Sequence, residues 1–239
     1  TLCTSVPPPC PSVFRFFQWI NHMKFSNLLF DLDGTLTDPK VGITESIRYA
    51  LAKMERPYPP DASLDWCIGP PLQETFATLL QTDDPQLPVE ALRLFRERFG
   101  TVGLFENTPY PAIAPVLQTI QAAGLRLFVA TSKPAVYAQQ IVDHFDLARY
   151  FLVVYGSELD GRLTHKNELI HHVLQQETLD PAQTLMIGDR EHDILGAKAN
   201  QVTAVGVTWG YGSAPELTAA GALTLLDHPT DLLQFLNLA

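Results

Sequence analysis

The chain has 239 residues, of which 46% are hydrophobic and 18% charged, a balance that supports a packed core and excludes a disordered chain. Its formal net charge of −10 argues against nucleic acid polymers as partners, because a phosphate backbone is bound by Lys and Arg that displace its counterions. No apolar run approaches the roughly 20 residues that cross a bilayer, so no membrane partner is expected. Cys3, Cys10 and Cys67 have no C-x-x-C spacing, which favours neither a disulfide framework nor a zinc site and makes a reducing cytoplasm the default location.

Residues 1–22 form a Pro-rich polar stretch followed by Phe14, Phe16, Phe17, Trp19 and Ile20. Without an apolar h-region and small-residue cleavage site this is not a secretory signal. It is expected to be an N-terminal extension, with Met23 the functional start; an aromatic arm for a membrane or partner is the alternative. Apolar runs at 27–31, 125–131, 151–155, 184–188, 203–207 and 222–226 are nearly continuous in Val, Ile, Leu and Phe, the pattern of strands buried on both faces. Helical segments are expected between them at 111–123, 134–146, 165–177 and 190–200, with Pro111, Pro134 and Pro181 suited to a first helical turn. The alternation predicts an α/β fold with a doubly wound, Rossmann-like parallel sheet, whose ligand sits beyond the carboxyl ends of the strands.

One interval departs from this alternation. From Asp38 to Pro109 the periodicity is helical: Ile43, Ile47, Ala50, Leu51 and Met54, then Leu72, Phe76, Leu79 and Leu80, then Leu92, Phe95 and Phe99. Pro57, Pro59, Pro60, Pro85 and Pro88 mark the breaks. The predicted organisation is therefore a core of residues 23–38 plus 109–239, interrupted by a small helical domain at 39–108.

Four strand ends carry chemistry. Asp31-Leu32-Asp33-Gly34-Thr35 follows the first strand and gathers two carboxylates with backbone N–H groups, suited to a divalent cation and a phosphate, although Asp and Gly also serve plain turns. Thr131-Ser132-Lys133-Pro134 places a hydroxyl where a helix begins, a favourable place for an anion or for an ordinary N-cap by Ser132. Lys166 falls in the first turn of a helix that Thr164 is expected to cap. The dipole does not favour a cation there, so a phosphate is one candidate contact and solvent the other. Gly188-Asp189-Arg190-Glu191-His192-Asp193 presents two acids on one helical face after a buried strand. Clustered oxygen ligands of this kind suit magnesium, while acids at a helix start also simply stabilise the dipole.

Together these motifs, in this order, resemble those of the haloacid dehalogenase-like hydrolases. Gly188–Ala197 and Trp209-Gly210-Tyr211-Gly212-Ser213 resemble the phosphoglycolate phosphatase-like branch, which includes members described as 5′-nucleotidases. The resemblance covers residues 25–239 and makes the helical insertion a cap. It implies a magnesium-dependent phosphatase acting on a small phosphorylated metabolite, phosphoglycolate or a nucleoside 5′-monophosphate. It implies Asp31 as nucleophile and Asp33 as general acid and base. Magnesium would be held by Asp31, the Asp33 carbonyl, Asp189 and Asp193, the last through water. The substrate phosphate would lie against Gly34, Thr131, Ser132 and Lys166. Retention of Asp33 separates the chain from the metal-free dehalogenases. A phosphosugar mutase of the β-phosphoglucomutase type would also keep the second aspartate and a helical cap. The other alternative is a non-catalytic phospho-acceptor regulator, although a receiver domain has no inserted helical lid and a silent relative usually loses a core residue, which this chain does not.

The Gly69-Pro70-Pro71 turn is expected either to reach the site or to connect helices. Arg48, Lys53 and Arg56 are candidates for a second anionic group of the substrate. A homo-oligomer is compatible with the sequence, and nothing in it specifies one.

Overall fold

The computed structural model describes residues 24–238. The extension expected at 1–22, and Met23 as a functional start, lie outside the described residues. Strand β1 (Asn27–Phe30) is the pivot of the sheet, fully buried along its length. It pairs in parallel with β4 (Arg126–Pro134) on one side and with β6 (Thr184–Gly188) on the other. Outward from these lie β5 (Val153–Ser157) beside β4, then β7 (Thr203–Val207) and β8 (Leu225–Leu226) beyond β6, giving the order β5-β4-β1-β6-β7-β8. The sheet is parallel at every pairing. The connection direction reverses at β1, which opens a crevice at its carboxyl end.

Both faces of the sheet are covered, as the continuous apolar runs require. Leu28 and Phe30 point into one core cluster, with Leu127, Val129, Leu185 and Ile187. Leu29 points into the other, with Phe128, Met186, Leu169 and Ile170. Side chains that alternate between two apolar layers are the signature of a central strand.

The helices α4 (Ile113–Ala122), α5 (Ala135–His144), α6 (Lys166–Gln176) and α7 (Glu191–Ala199) fall where the sequence places them, each trimmed by a residue or two at either end. Helix α4 starts two residues after Pro111 because Ala112 takes a left-handed conformation, φ 66°. Pro181 opens only a single 3-10 turn, Pro181–Gln183, capped by Asp180. Strand β4 runs on to Pro134 through an irregularity after Thr131. At 222–226 only Leu225 and Leu226 pair.

Between β2 (Thr37–Asp38) and β3 (Thr108–Pro109) stand α1 (Lys40–Lys53), α2 (Leu72–Leu80) and α3 (Gln86–Arg98), followed by a π turn at Phe99–Gly103. Strands β2 and β3 pair antiparallel, so the chain leaves and re-enters the sheet region through one narrow ribbon. Phe76, Phe95 and Phe99 form the aromatic centre of this helical group: Phe95 stacks on Phe99 at 5.0 Å and meets Phe76 edge-on at 6.2 Å. Among the described residues no helix is long and apolar enough to cross a membrane.

Phe128 is inaccessible to solvent and centres the second apolar layer. Replacing it with Ala removes a buried aromatic ring and is expected to cost about 3–5 kcal/mol in urea unfolding. A loss below about 1 kcal/mol would mean that this layer does not pack as described.

Candidate active site

Asp31 leaves the end of β1 with its N–H donating to Ile187 O at 2.9 Å, so the central strand and β6 together fix where its carboxylate begins. The carboxylate is buried and ion-paired with Lys166 Nζ at 2.8 Å. Lys166, the first residue of α6, also reaches Asp193 Oδ1 at 2.6 Å and donates to Ala130 O at 2.7 Å. This explains a cation in a first helical turn: its partners are across the sheet edge rather than at its own helix end. Thr164 does not cap the helix; its hydroxyl donates to Gly161 O, and His165 occupies the cap position.

Asp189 follows β6 and is wholly buried. Its Oδ2 accepts the Tyr211 N–H at 2.8 Å, and its Oδ1 lies 3.4 Å from the Thr35 hydroxyl. Oxygens of Asp31, Asp189 and Asp193 lie within 4.8 Å of one another. Gly34, at φ +85°, and Gly210 allow this approach, because a Cβ at either position would run into the Asp189 side chain.

Three buried carboxylates therefore face one ammonium. Burial, with Asp193 and Asp31 adding to it, holds the Asp189 carboxyl well above the ordinary carboxylate range. Burial likewise pushes Asp193 up to about 6 against the pull of Lys166. Burial works against the Lys166 charge too, but Asp193 and Asp31 outweigh it and the amine lies above its usual value. Asp31 Oδ1 and Asp193 Oδ1 touch the ammonium only as ion pairs and accept no hydrogen bond of normal geometry. Excess buried negative charge with oxygens to spare is what a divalent cation relieves, and an all-oxygen donor set fits a hard one. Asp193 lies in this cluster itself, with its other oxygen accepting the Arg190 N–H at 3.1 Å.

Asp33 stands apart from the cluster. Its carboxylate pairs with Lys133 Nζ at 2.7 Å, and burial raises its pKa despite Lys133, which favours a side chain able to hold a proton. Lys133 is a residue that sequence reasoning quoted and did not use. Its ammonium also sits 4.6 Å from the centre of the Phe99 ring. Thr131 and Ser132 line the same cavity as Asp31 and Asp33. The Gly34 N–H donates to Thr37 O at 2.8 Å. The N–H groups of Leu32 and Asp33 have no such partner among the described residues. The turn was legible, but which of its amides is spent depends on how it closes on Thr37.

The cavity above these residues measures about 930 Å³. Its far wall is the helical insertion, including Gly69–Leu72, Phe95, Phe99 and Arg96. The Gly-Pro-Pro turn thus reaches the site. Arg48, Lys53 and Arg56 do not line the cavity; Arg48 donates instead to the carbonyls of Pro59, Pro60 and Ala62.

The model of the haloacid dehalogenase-like hydrolases matches residues 28–207, a span that contains Asp31, Asp33, Thr131, Lys133, Lys166, Asp189 and Asp193. The chain belongs to that family. It is similar to a 5′-nucleotidase of Pseudomonas aeruginosa, 48% identical over 82% of this hydrolase and 89% of the relative. It is 37% identical to the tyrosine-protein kinase PtkA of Mycobacterium tuberculosis over 78% of this chain but 63% of PtkA. It is 29% identical to a phosphoglycolate phosphatase of Salmonella typhimurium over 87% of this chain and 91% of the relative. Among solved structures, one described as a predicted phosphatase from Clostridium acetobutylicum superposes with a TM-score of 0.85 at 39% identity, covering 88% of this hydrolase and 97% of that chain.

The charge crowding makes a direct test. In metal-free protein, Asp189→Asn removes one of three opposed charges while its amide oxygen can still accept the Tyr211 N–H, so thermal unfolding should move up by a few degrees. Magnesium chloride should raise the melting temperature of the parent and leave the variant unmoved. A metal-free variant less stable than the parent would mean that Asp189 is held by favourable contacts rather than crowded.

Proposed function

We propose that this phosphatase hydrolyses a small phosphorylated metabolite through an aspartyl-phosphate on Asp31, with a nucleoside 5′-monophosphate preferred over phosphoglycolate. The observation that carries the reading is the meeting of Asp31 and Asp33 on the floor of one cavity, with Lys166 behind Asp31. Asp31 attacks the phosphorus in line with the leaving oxygen, and Asp33 delivers a proton to that oxygen as the ester bond breaks. Asp33, now a carboxylate, takes a proton from the water that attacks the phosphorus of the acyl phosphate, which releases inorganic phosphate and restores Asp31. Thr131, Lys166 and the Leu32 and Asp33 N–H groups hold the phosphoryl oxygens as charge shifts between them.

Asp31, Asp189 and Asp193, with the Asp33 carbonyl, would hold magnesium. When bound, it supplies the positive charge that allows a carboxylate to approach an anionic phosphate. Residues 39–108 serve as a cap over the core of 23–38 and 109–239, excluding water and selecting the leaving group. The volume of about 930 Å³ and the Phe95 and Phe99 wall exceed what a two-carbon leaving group fills and suit a nucleoside. The names of the relatives, a 5′-nucleotidase and a phosphoglycolate phosphatase, agree with this class. A reducing cytoplasm fits Cys67, a buried free cysteine whose thiol burial pushes up to about 12.

Purified protein should release phosphate from nucleoside monophosphates in a magnesium-dependent way, with higher kcat/KM than from phosphoglycolate. Asp31→Asn should lose at least about a thousandfold in kcat with its circular dichroism unchanged. Near-normal turnover in that variant would refute the mechanism, and an isomerised sugar phosphate in place of free phosphate would show a mutase.

A further inference from the structure

Arg190 lies between the two acids Asp189 and Asp193, yet its side chain turns away from them. Its Nη1 donates to Ile68 O, in the turn of the helical insertion, at 2.5 Å. Its Nε pairs with Glu216 Oε1 at 2.9 Å, and the same oxygen accepts the Glu191 N–H at 3.0 Å. Both charged groups are largely shielded from solvent, the Arg190 side chain being 14% exposed and that of Glu216 22%. The residue after Ile68 is Gly69, at φ +106°, and a Cβ there would come within 2.9 Å of Arg190 Cγ. Only a glycine can both take this left-handed conformation and lie flat on the arginine stem. Gly69, Pro70, Pro71 and Leu72 then line the cavity opposite Asp31 and Asp33.

The backbone of Arg190 faces the other way. Its N–H donates to Asp193 Oδ2 at 3.1 Å, at the start of α7. One residue therefore binds the loop carrying the acid cluster through its main chain and the turn of the insertion through its guanidinium. The helical insertion has no covalent route to that loop except through the β2–β3 ribbon and the sheet.

We propose that Arg190 is a positioning residue for substrate specificity, clamping the Ile68–Pro71 turn across the cavity so that the wall facing the leaving group is fixed relative to the acid cluster. The clamp rests on charge-assisted hydrogen bonds in a shielded place, where each is stronger than at an open surface. Glu216 keeps the guanidinium aimed, and Gly69 gives it a surface to lie on. The turn contributes its backbone carbonyl rather than a side chain, so the contact fixes where the turn sits independently of side-chain identity at Ile68. The kinetic part of this inference rests on the phosphatase reading; the structural part does not.

The test is Arg190→Met, which keeps an apolar stem and removes the donors, beside Gly69→Ala, which breaks the same contact from the opposite side. In each, KM for a nucleoside monophosphate should rise about tenfold, the loss of one charge-assisted hydrogen bond, with a smaller change in kcat. The double variant should be no worse than the worse single, because both remove one contact. Amide hydrogen exchange over residues 66–72 should quicken about tenfold in Arg190→Met while that of β1 and β6 stays unchanged. Unaltered exchange over 66–72 would overturn the clamp, as would a fall in kcat at constant KM or additive effects in the double variant. If the parent protein hydrolyses no phosphate ester, the proposed function fails, and the exchange measurement still decides the clamp.

Discussion

The Lys166 ammonium, enclosed by Asp31, Asp193 and the Ala130 carbonyl, is the interaction on which the other features of the site depend. A lone buried ammonium would be costly, and so would any of these carboxylates alone. Placed together they leave an excess of negative charge at the carboxyl edge of the sheet. That excess explains the upward shifts of Asp189 and Asp193, and why the cluster suits a cation. Each member comes from a different element: Asp31 from the end of β1, Lys166 from the start of α6, Asp189 from the end of β6 and Asp193 from α7. The parallel sheet is what makes such convergence routine, because every strand delivers its last residue to the same edge.

Around that cluster, the structure divides its polar contacts between chemistry and support. Tyr211 exemplifies support: its N–H holds Asp189 while its hydroxyl donates to Asp38 at the ribbon leading into the insertion. Trp209, two residues earlier, donates its indole N–H to Thr35 O at 3.1 Å. The loop after β7 therefore braces both the acid cluster and the turn that follows β1. Lys133 and Arg190 both reach the insertion from the sheet domain, one to the Phe99 ring and the other to the Ile68 carbonyl.

How much of this was readable in advance depends on the distance over which each signal acts. The strands were legible because burial on both faces leaves continuous apolar runs such as Leu127–Ala130 and Leu185–Ile187. Asp31, Lys166, Asp189 and Asp193 were legible because each follows or opens an element at a recognisable spacing, and the structure brings them together. Lys133 was written in the quoted Thr131–Pro134 stretch, but its use depends on strand β4 continuing past Thr131 and on a ring some 30 residues earlier in the chain. The Gly34 N–H bond to Thr37 O was not legible, because a local turn signal does not say which amide the turn itself consumes. Thr164 failed because a neighbouring loop carbonyl, Gly161 O, took its hydroxyl. The contact between Arg190 and Ile68, 122 residues apart, leaves no periodic trace at all.

The central claim is that Asp31 carries the phosphoryl group between the two halves of the reaction. The most direct measurement is an acid quench during a single turnover, followed by borohydride reduction and peptide mapping by mass spectrometry. Reduction of an acyl phosphate converts the modified aspartate to homoserine, and the account predicts that conversion at residue 31 alone. Phosphate release with residue 31 unmodified at every quench time, or with the modification at another carboxylate, would contradict it.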